Sequence, residues 1–494
     1  MTGGEQREPW TEERLRRLFE GASDVIVQSR HFGQADETKV VLVYSTGLSD
    51  GKTLSQVVLP ELGKLYERNG TFSDDELRAL GSLLIDDYPG DVNPDDVAEA
   101  VFDGELVLLF VAFGGLYRVS IDDRPKRSPT ESNTEISIKG AKDGFIEDIV
   151  VNAALIRKRA RSSKLKYEPF TLGKRTRTKV ALMYYEDLVS KQPLQLARER
   201  LAKLNDSDGV FSTNQVEEAL SDSRYTVLPL LAFTGRPDFA VQSLLTGRFL
   251  VLIDGNPMVL IGPADLLLVM KSPEDAHFNF AYISFARIIR LISLFISIFL
   301  PGIWVALIAF HQDQIPFRLL ATISIARLGL PLSGQMEMFI LLMLLEIFRE
   351  AGVRLPNPIG QTLTSIGGLI IGEAAIRAGL VSPSIVVVGA ITAVCGVTLV
   401  NQILSTSTSV LRMFFFLVGS FLGMYGMILG MILLVVYLSR LRSFGIPYLP
   451  SLSPPRMQTV LKSLISLPWK FKDRKPSFLT KKDQSGQDGK DGGQ

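Results

Sequence analysis

The stretch Leu355-Pro356-Asn357-Pro358-Ile359-Gly360-Gln361-Thr362-Leu363-Thr364-Ser365-Ile366-Gly367-Gly368-Leu369-Ile370-Ile371-Gly372-Glu373 is apolar enough to enter a bilayer, yet broken where a plain membrane helix is continuous. Pro356 and Pro358 remove backbone donors and restrict the residues before them, so no helix runs through its opening. Thr362, Thr364 and Ser365 offer hydroxyls, Gly367, Gly368 and Gly372 permit close backbone approach, and Glu373 is ionisable. Lipid tolerates such a segment only where protein or a water-filled cavity covers it. The expectation is a segment that lines a path through a membrane, with Ile371 among its lining residues.

The neighbouring chain agrees. Leu291–Phe310, Ala378–Leu411 and Met413–Ser439 carry no charged residue, and a crossing helix needs about 20 apolar positions. A first helix is expected over Ile288–Phe310, bending at Pro301-Gly302. An amphipathic, interfacial stretch follows from Gln314 to Leu332, carrying Arg318 and Arg327. Met336–Phe348 is short and contains Glu337 and Glu346. Beyond the broken stretch, Glu373 and Arg377 stand at a helical pairing distance, and Ser384–Leu404 and Leu411–Leu438 read as two closing spans. The last holds Gly419-x-x-x-Gly423 and Gly426-x-x-x-Gly430, small-residue surfaces for close helix packing. Glu337, Glu346, Arg377 and Arg412 are charges that must be paired inside such a bundle, and Arg377 and Arg412 are both candidate partners of Glu373.

Eleven basic residues from Arg440 onward face four acidic ones, which places the tail in the cytoplasm. The opening Met1–Trp10 lacks the apolar core of a signal peptide, so the front half is expected there too. Two cytoplasmic ends require an even number of crossings. Five apolar segments leave one that is re-entrant or interfacial, and the broken stretch is the best candidate. The Gly-, Gln-, Asp- and Lys-rich end from Lys481 reads as disordered.

Before about residue 280 the chain reads as a soluble protein. Its net charge of +1 averages unlike halves and gives no pull toward nucleic acid. The single cysteine, Cys395, lies in an apolar run, which excludes an internal disulfide or a cysteine metal site. His31, His277 and His311 are scattered, and no metal, cofactor or catalytic pattern stands out, so an enzyme is not expected.

An internal repeat organises this half. Lys39–Leu48 is answered by Lys179–Leu188, and Gly104–Phe110 by Gly247–Ile253; each reads as a strand buried on both faces. Turns at Gly114-Gly115 and Asp254-Gly255-Asn256 suggest hairpins. Between the repeats, Asp143–Arg161 has helical spacing and a basic last turn containing Arg157, Lys158, Arg159 and Arg161, read as a solvated helix end rather than a contact with lipid headgroups or acidic neighbours. Thr46–Thr53 mimics a phosphate-binding loop, but Gly47 and Gly51 enclose three residues where that pattern needs four. A structural turn is the better reading. The expected organisation is a flexible N-terminus (1–19), two tandem α/β subdomains (20–135 and 165–282) joined by a linker helix (136–164), a polytopic helical membrane domain (283–440) and a basic tail (441–494).

Several motifs resemble the A subunits of bacterial spore germination receptors, the GerA family. They are Leu228-Pro-Leu-Leu-Ala-Phe-Thr-Gly-Arg-Pro-Asp238, Leu245–Arg248, Val251–Ile261, Arg354–Gln361, Gly379–Pro383 and Ser443–Leu449, with Gly144–Asp148, Ala154–Arg157 and Leu172–Thr176 upstream. Phe239 and Ala240 depart from the more polar residue expected after Asp238. The resemblance implies a spore inner-membrane protein acting with a transporter-like B subunit and a lipoprotein C subunit. It further implies self-association, as a pentamer, into a nutrient-gated cation channel. A non-conducting scaffold is the alternative. A secondary transporter is disfavoured because no inverted repeat is visible.

Overall fold

Strand β2 (Lys39–Ser45) lies inside the first of two sheets. Its β-branched run suits extended backbone, and alternate residues face opposite sides. Val40 and Leu42 pack with Leu54, Val58, Leu62 and Phe110, while Val41 and Val43 pack with Leu15, Phe19, Val97 and Phe102. Helices therefore cover both faces. With β1 (Val25–His31), β3 (Ile85–Asp87), β4 (Leu106–Phe110) and β5 (Gly115–Val119) it forms a five-stranded antiparallel sheet in the order β1-β2-β4-β5-β3. The computed structural model describes residues 9–33, 38–74, 77, 85–87, 92–121, 135, 137–209, 212–223, 225–354 and 373–449.

A second sheet repeats the topology. Strands β6 (Leu165–Leu172), β7 (Thr178–Tyr185), β8 (Ala232–Thr234), β9 (Phe249–Ile253) and β10 (Val259–Gly262) run in the order β6-β7-β9-β10-β8. The repeated sequences occupy equivalent places, β2 with β7 and β4 with β9. Backbone bonds from Ser23 N to Tyr167 O and from Tyr167 N to Gly21 O join the sheets edge to edge.

The helix Ile149–Arg157, capped by Asp148, packs Ala154 into the first sheet's core and lies against β7 and β9 of the second. Its end is only partly solvated, with Lys158 and Arg161 exposed. Arg157 is fully buried on Asp24, Arg159 pairs with Asp143, and Arg161 with Glu99 and Asp103. These partners lie too far away in sequence for a local charge count to find.

At Thr46–Thr53, Asp50 caps its own helix, accepting from Lys52 N at 2.8 Å and from Thr53 Oγ1 at 2.5 Å. A carboxylate already occupies the place a phosphate would take.

Among the described residues, 9–223 with 231–263 form one compact unit, and 225–230 with 264–449 form another. The division falls at Pro263–Ala264, and residues 264–279 bond into the helical unit: Arg290 reaches both Met270 O and Asp275.

In the helical unit, Phe280–Phe310 and Gln402–Arg440 are long and apolar enough to cross a membrane; Phe317–Ala326 and Pro383–Val397 are shorter apolar helices. Gly334–Arg354 is a 21-residue helix, longer than the short segment expected, with Glu337 and Glu346 paired along it. A Cβ on Gly302 would stand 2.6 Å from Phe415 O, and one on Gly419 2.5 Å from Gly302 O, so these two backbones touch.

Gln402–Arg440 takes in Leu411–Leu438, read from the sequence as one span, but it is not a single straight helix. Gly423 breaks it at φ 59°, ψ −149°, a region open essentially to glycine. A Cβ on Gly426 would meet Val418, and one on Gly430 would meet Phe415, at 2.9 Å each. On a continuous helix the second pair stands roughly 22 Å apart along the axis. The segment is a helical hairpin whose two arms turn at Gly423. Gly426 and Gly430 face the other arm, while Gly419 faces Gly302.

Candidate functional site

Buried charges in the helical unit form its chemically distinctive feature. Glu337, in the first turn of Gly334–Arg354, has no exposed side-chain surface. Its Oε2 accepts from Ser382 N at 2.7 Å, at the N-terminus of Pro383–Val397, and Arg327 lies 3.4 Å from its Oε1. The carboxylate closes a helix end, where the backbone dipole favours negative charge.

Further along the same helix, Glu346 joins two guanidinium groups. It accepts from Arg412 Nη2 at 3.0 Å and pairs with Arg349 one turn on. Arg412, with a side chain 10% exposed, also donates to Ser409 Oγ at 2.9 Å and approaches Ser297 Oγ at 3.5 Å. Arg349 donates to Ser405 O at 3.3 Å. With Gln335 bonded to Ser420 O, these contacts show Gly334–Arg354 running antiparallel to the first hairpin arm.

Glu373 pairs with Arg377 at 2.5 Å, and both side chains are more than half exposed. Arg412 is engaged by Glu346 rather than by Glu373. Thr362, Thr364, Ser365, Gly367, Gly368, Ile371 and Gly372 lie outside the described residues, as does the expected re-entrant stretch. The helices on either side of it, Gly334–Arg354 and Pro383–Val397, run in the same direction: Glu337 meets Ser382, and Leu341 meets Gly389.

Sequence reasoning missed Arg327, Arg349, Ser297 and Ser382 as partners. The spacing from Glu346 to Arg349 is a legible helical signal. Arg327 with Glu337, and Ser382 with Glu337, depend on turns that no periodicity reveals. A half-open cavity of about 300 Å³ lies beside Arg327, lined by Ile308, Gln312, Ile315, Leu320, Ile323 and Ser324 among others.

In the front unit, the motif ending Thr234-Gly-Arg-Pro-Asp238 starts a helix. Buried Arg236 donates to both Asp238 oxygens, and Asp238 accepts from Phe239 N. Phe239 and Ala240, the departures from the expected polarity, are buried core residues. Glu135 accepts from Thr234 Oγ1 at 2.6 Å, and burial raises its carboxyl above the ordinary range.

A family described as Bacillus/Clostridium GerA spore germination protein matches residues 13–478. The chain is 40% identical to Spore germination protein XA of Bacillus anthracis, covering 94% of each. It is 32% identical to Spore germination protein KA of Bacillus subtilis (strain 168), covering 95% of this chain and 86% of that one. A solved structure of the N-terminal domain of the A subunit of the Bacillus megaterium spore germinant receptor GerK3 aligns with a TM-score of 0.38 at 21% identity, covering 51% of this chain and 92% of that one.

Proposed function

The chain belongs to the GerA family of spore germination proteins, and from that premise we propose that it is the A subunit of a nutrient-responsive germination receptor. In this reading it is an integral protein of the spore inner membrane with both termini in the cytoplasm. It self-associates, as a pentamer, into a ligand-gated cation channel, and acts beside a transporter-like B subunit and a lipoprotein C subunit. It performs no catalysis.

The observation that carries this reading is the apolar helical unit whose deep charges are neutralised internally, Glu346 by Arg412 and Arg349, and Glu337 by Arg327. Lipid imposes that pairing on a membrane-embedded charge, and the hairpin at Gly423 supplies two apolar arms, each near the roughly 20 residues of a crossing. The polar run Thr362, Thr364, Ser365, Gly367, Gly368, Ile371, Gly372 and Glu373 is the proposed lining of the conduction path, with Glu373 side chains ringing it and attracting cations.

One observation favours the second reading, a non-conducting scaffold: Glu373 is already paired with Arg377, which cancels the charge a cation would meet. Reconstitution of the assembled receptor in vesicles, with cation flux recorded on nutrient addition, separates the two. The channel reading expects flux in wild type and reduced flux or selectivity in Glu373→Ala. Unchanged flux in Glu373→Ala removes that residue from the pore, and no flux in wild type leaves the scaffold.

A further inference from the structure

Within the helical unit, residues 225–230 and the motif Ser443–Leu449, far apart in sequence, meet at the end of the second hairpin arm. Leu441 ends that arm, and Arg442–Ser443 then pairs with Ile446–Pro447 in a small β-hairpin. Its turn residues Phe444 and Gly445 both take positive φ, 51° and 79°, the geometry of a tight type I′ turn. Phe444 is buried, so packing holds a non-glycine residue in a conformation it seldom adopts.

The hairpin grips two strands of chain. Ser443 Oγ donates to Leu230 O at 2.6 Å and accepts from Ala264 N at 3.1 Å. Leu266 N donates to Tyr448 O at 3.2 Å, and Tyr448 N returns to Leu441 O at 2.9 Å. Within the arm itself, Tyr437 Oη accepts from Val227 N at 3.2 Å and lies 3.2 Å from Thr226 Oγ1. Ser443, Leu230, Phe444 and Tyr448 are nearly or fully buried. Residues 225–230 lead into β8 and residues 264–270 leave β10. These are the covalent routes between the second sheet and the helical unit.

We propose that this hairpin is a coupling clasp. Through Tyr437 and Ser443 the last helical arm holds both chain segments that enter and leave the second sheet, so a displacement of the arm is transmitted to the α/β unit and the reverse. One hydroxyl, that of Ser443, bonds to both segments at once, and this ties their positions together. The same 264–275 segment is fastened to Phe280–Phe310 through Arg290 and Asp275, so the clasp also links the first long helix to the last. A helix end that merely terminates needs none of these cross-bonds.

The clasp rests on the reading of the chain as a stimulus-responsive receptor subunit, but not on its being a channel. The test uses the full chain in its own spores, with Tyr437→Phe, Ser443→Ala and the double variant. Ser439→Ala serves as control, its hydroxyl bonding only within its own arm. Tyr437→Phe keeps the ring and deletes one hydroxyl, which guards against a folding failure. Hydrogen exchange on the purified protein is expected to accelerate about tenfold at the Val227 and Ala264 amides. The nutrient concentration for half-maximal germination should rise by a similar factor at unchanged protein abundance, and Ser443→Thr should restore it. Faster exchange with an unchanged nutrient response overturns the clasp, as does unchanged exchange in the double variant. Absence of cation flux from wild type removes the channel reading alone, because the germination response still reports the coupling.

Discussion

Arg157 donates from Nε to Asp24 Oδ2 at 2.7 Å and from Nη2 to Asp24 Oδ1 at 2.9 Å, a two-pronged pair between residues 133 positions apart. The guanidinium also lies 4.1 Å from the centre of the Phe102 ring, and its side chain is fully buried. It comes from the helix shared by both sheets. Asp24 sits beside the Ala22–Tyr167 bridge that joins their edges.

Asp24→Ala leaves that guanidinium buried without its counter-ion, a change that costs about 3–5 kcal/mol. Arg157→Lys keeps the charge but loses the fork and the flat face over Phe102, so it should rescue little. Hydrogen exchange at the Ser23 and Tyr167 amides is the readout. Protection should fall by about two to four orders of magnitude in Asp24→Ala, in line with that cost. Retained protection means the junction is held by other contacts.

The reversal at Gly423 predicts a topology. In a Cys395→Ala background, Gln402→Cys and Arg440→Cys should react with an impermeant maleimide from the same side of the membrane. Labelling from opposite sides indicates a straight helix, which at 39 residues extends roughly 58 Å. Gly423→Val should lower accumulation, since a β-branched residue strongly resists that backbone geometry.

How far the sequence announces these features depends on the range of the interaction. The repeat was legible because β2 with β7, and β4 with β9, are buried on both faces and therefore keep the same apolar runs. Glu346 with Arg349 and Glu373 with Arg377 were legible because helical spacing fixes them locally. Asp24 with Arg157, and Arg327 with Glu337, were not, since tertiary folding alone brings them together. The Gly423 hairpin hid behind an unbroken apolar run: the same glycine pattern that marks helix packing also permits a reversal. Ser443 gave no sign that its hydroxyl bonds to two distant segments.

Acid should loosen the N-terminal helix Glu12–Leu18 through Glu12. Its carboxylate bonds to Lys39 at 2.7 Å and to Arg16, and Lys39 chiefly holds its pKa at about 2, below the ordinary 4.5. A depressed folded value means the stabilisation is complete above pH 4.5 and is lost as pH falls from there toward 2. Following unfolding against pH in wild type and Glu12→Gln checks this. The variant should show a flatter acid limb, and identical limbs would remove Glu12 as a contributor.

The cluster at Glu346 makes an asymmetric prediction. Glu346→Ala strands two guanidinium groups, one of them on the buried Arg412 side chain, whereas Arg412→Ala leaves Glu346 still paired with Arg349. Loss of the shared carboxylate should therefore cost about 3–5 kcal/mol, the scale for an uncompensated buried charge. Loss of Arg412 should cost clearly less, and Glu346→Ala/Arg412→Ala should be milder than Glu346→Ala alone, because the stranded charge has gone with its partner. Thermal unfolding of the four proteins in detergent gives the cycle. Additive effects of equal size would show that Glu346 and Arg412 do not neutralise each other within the bundle.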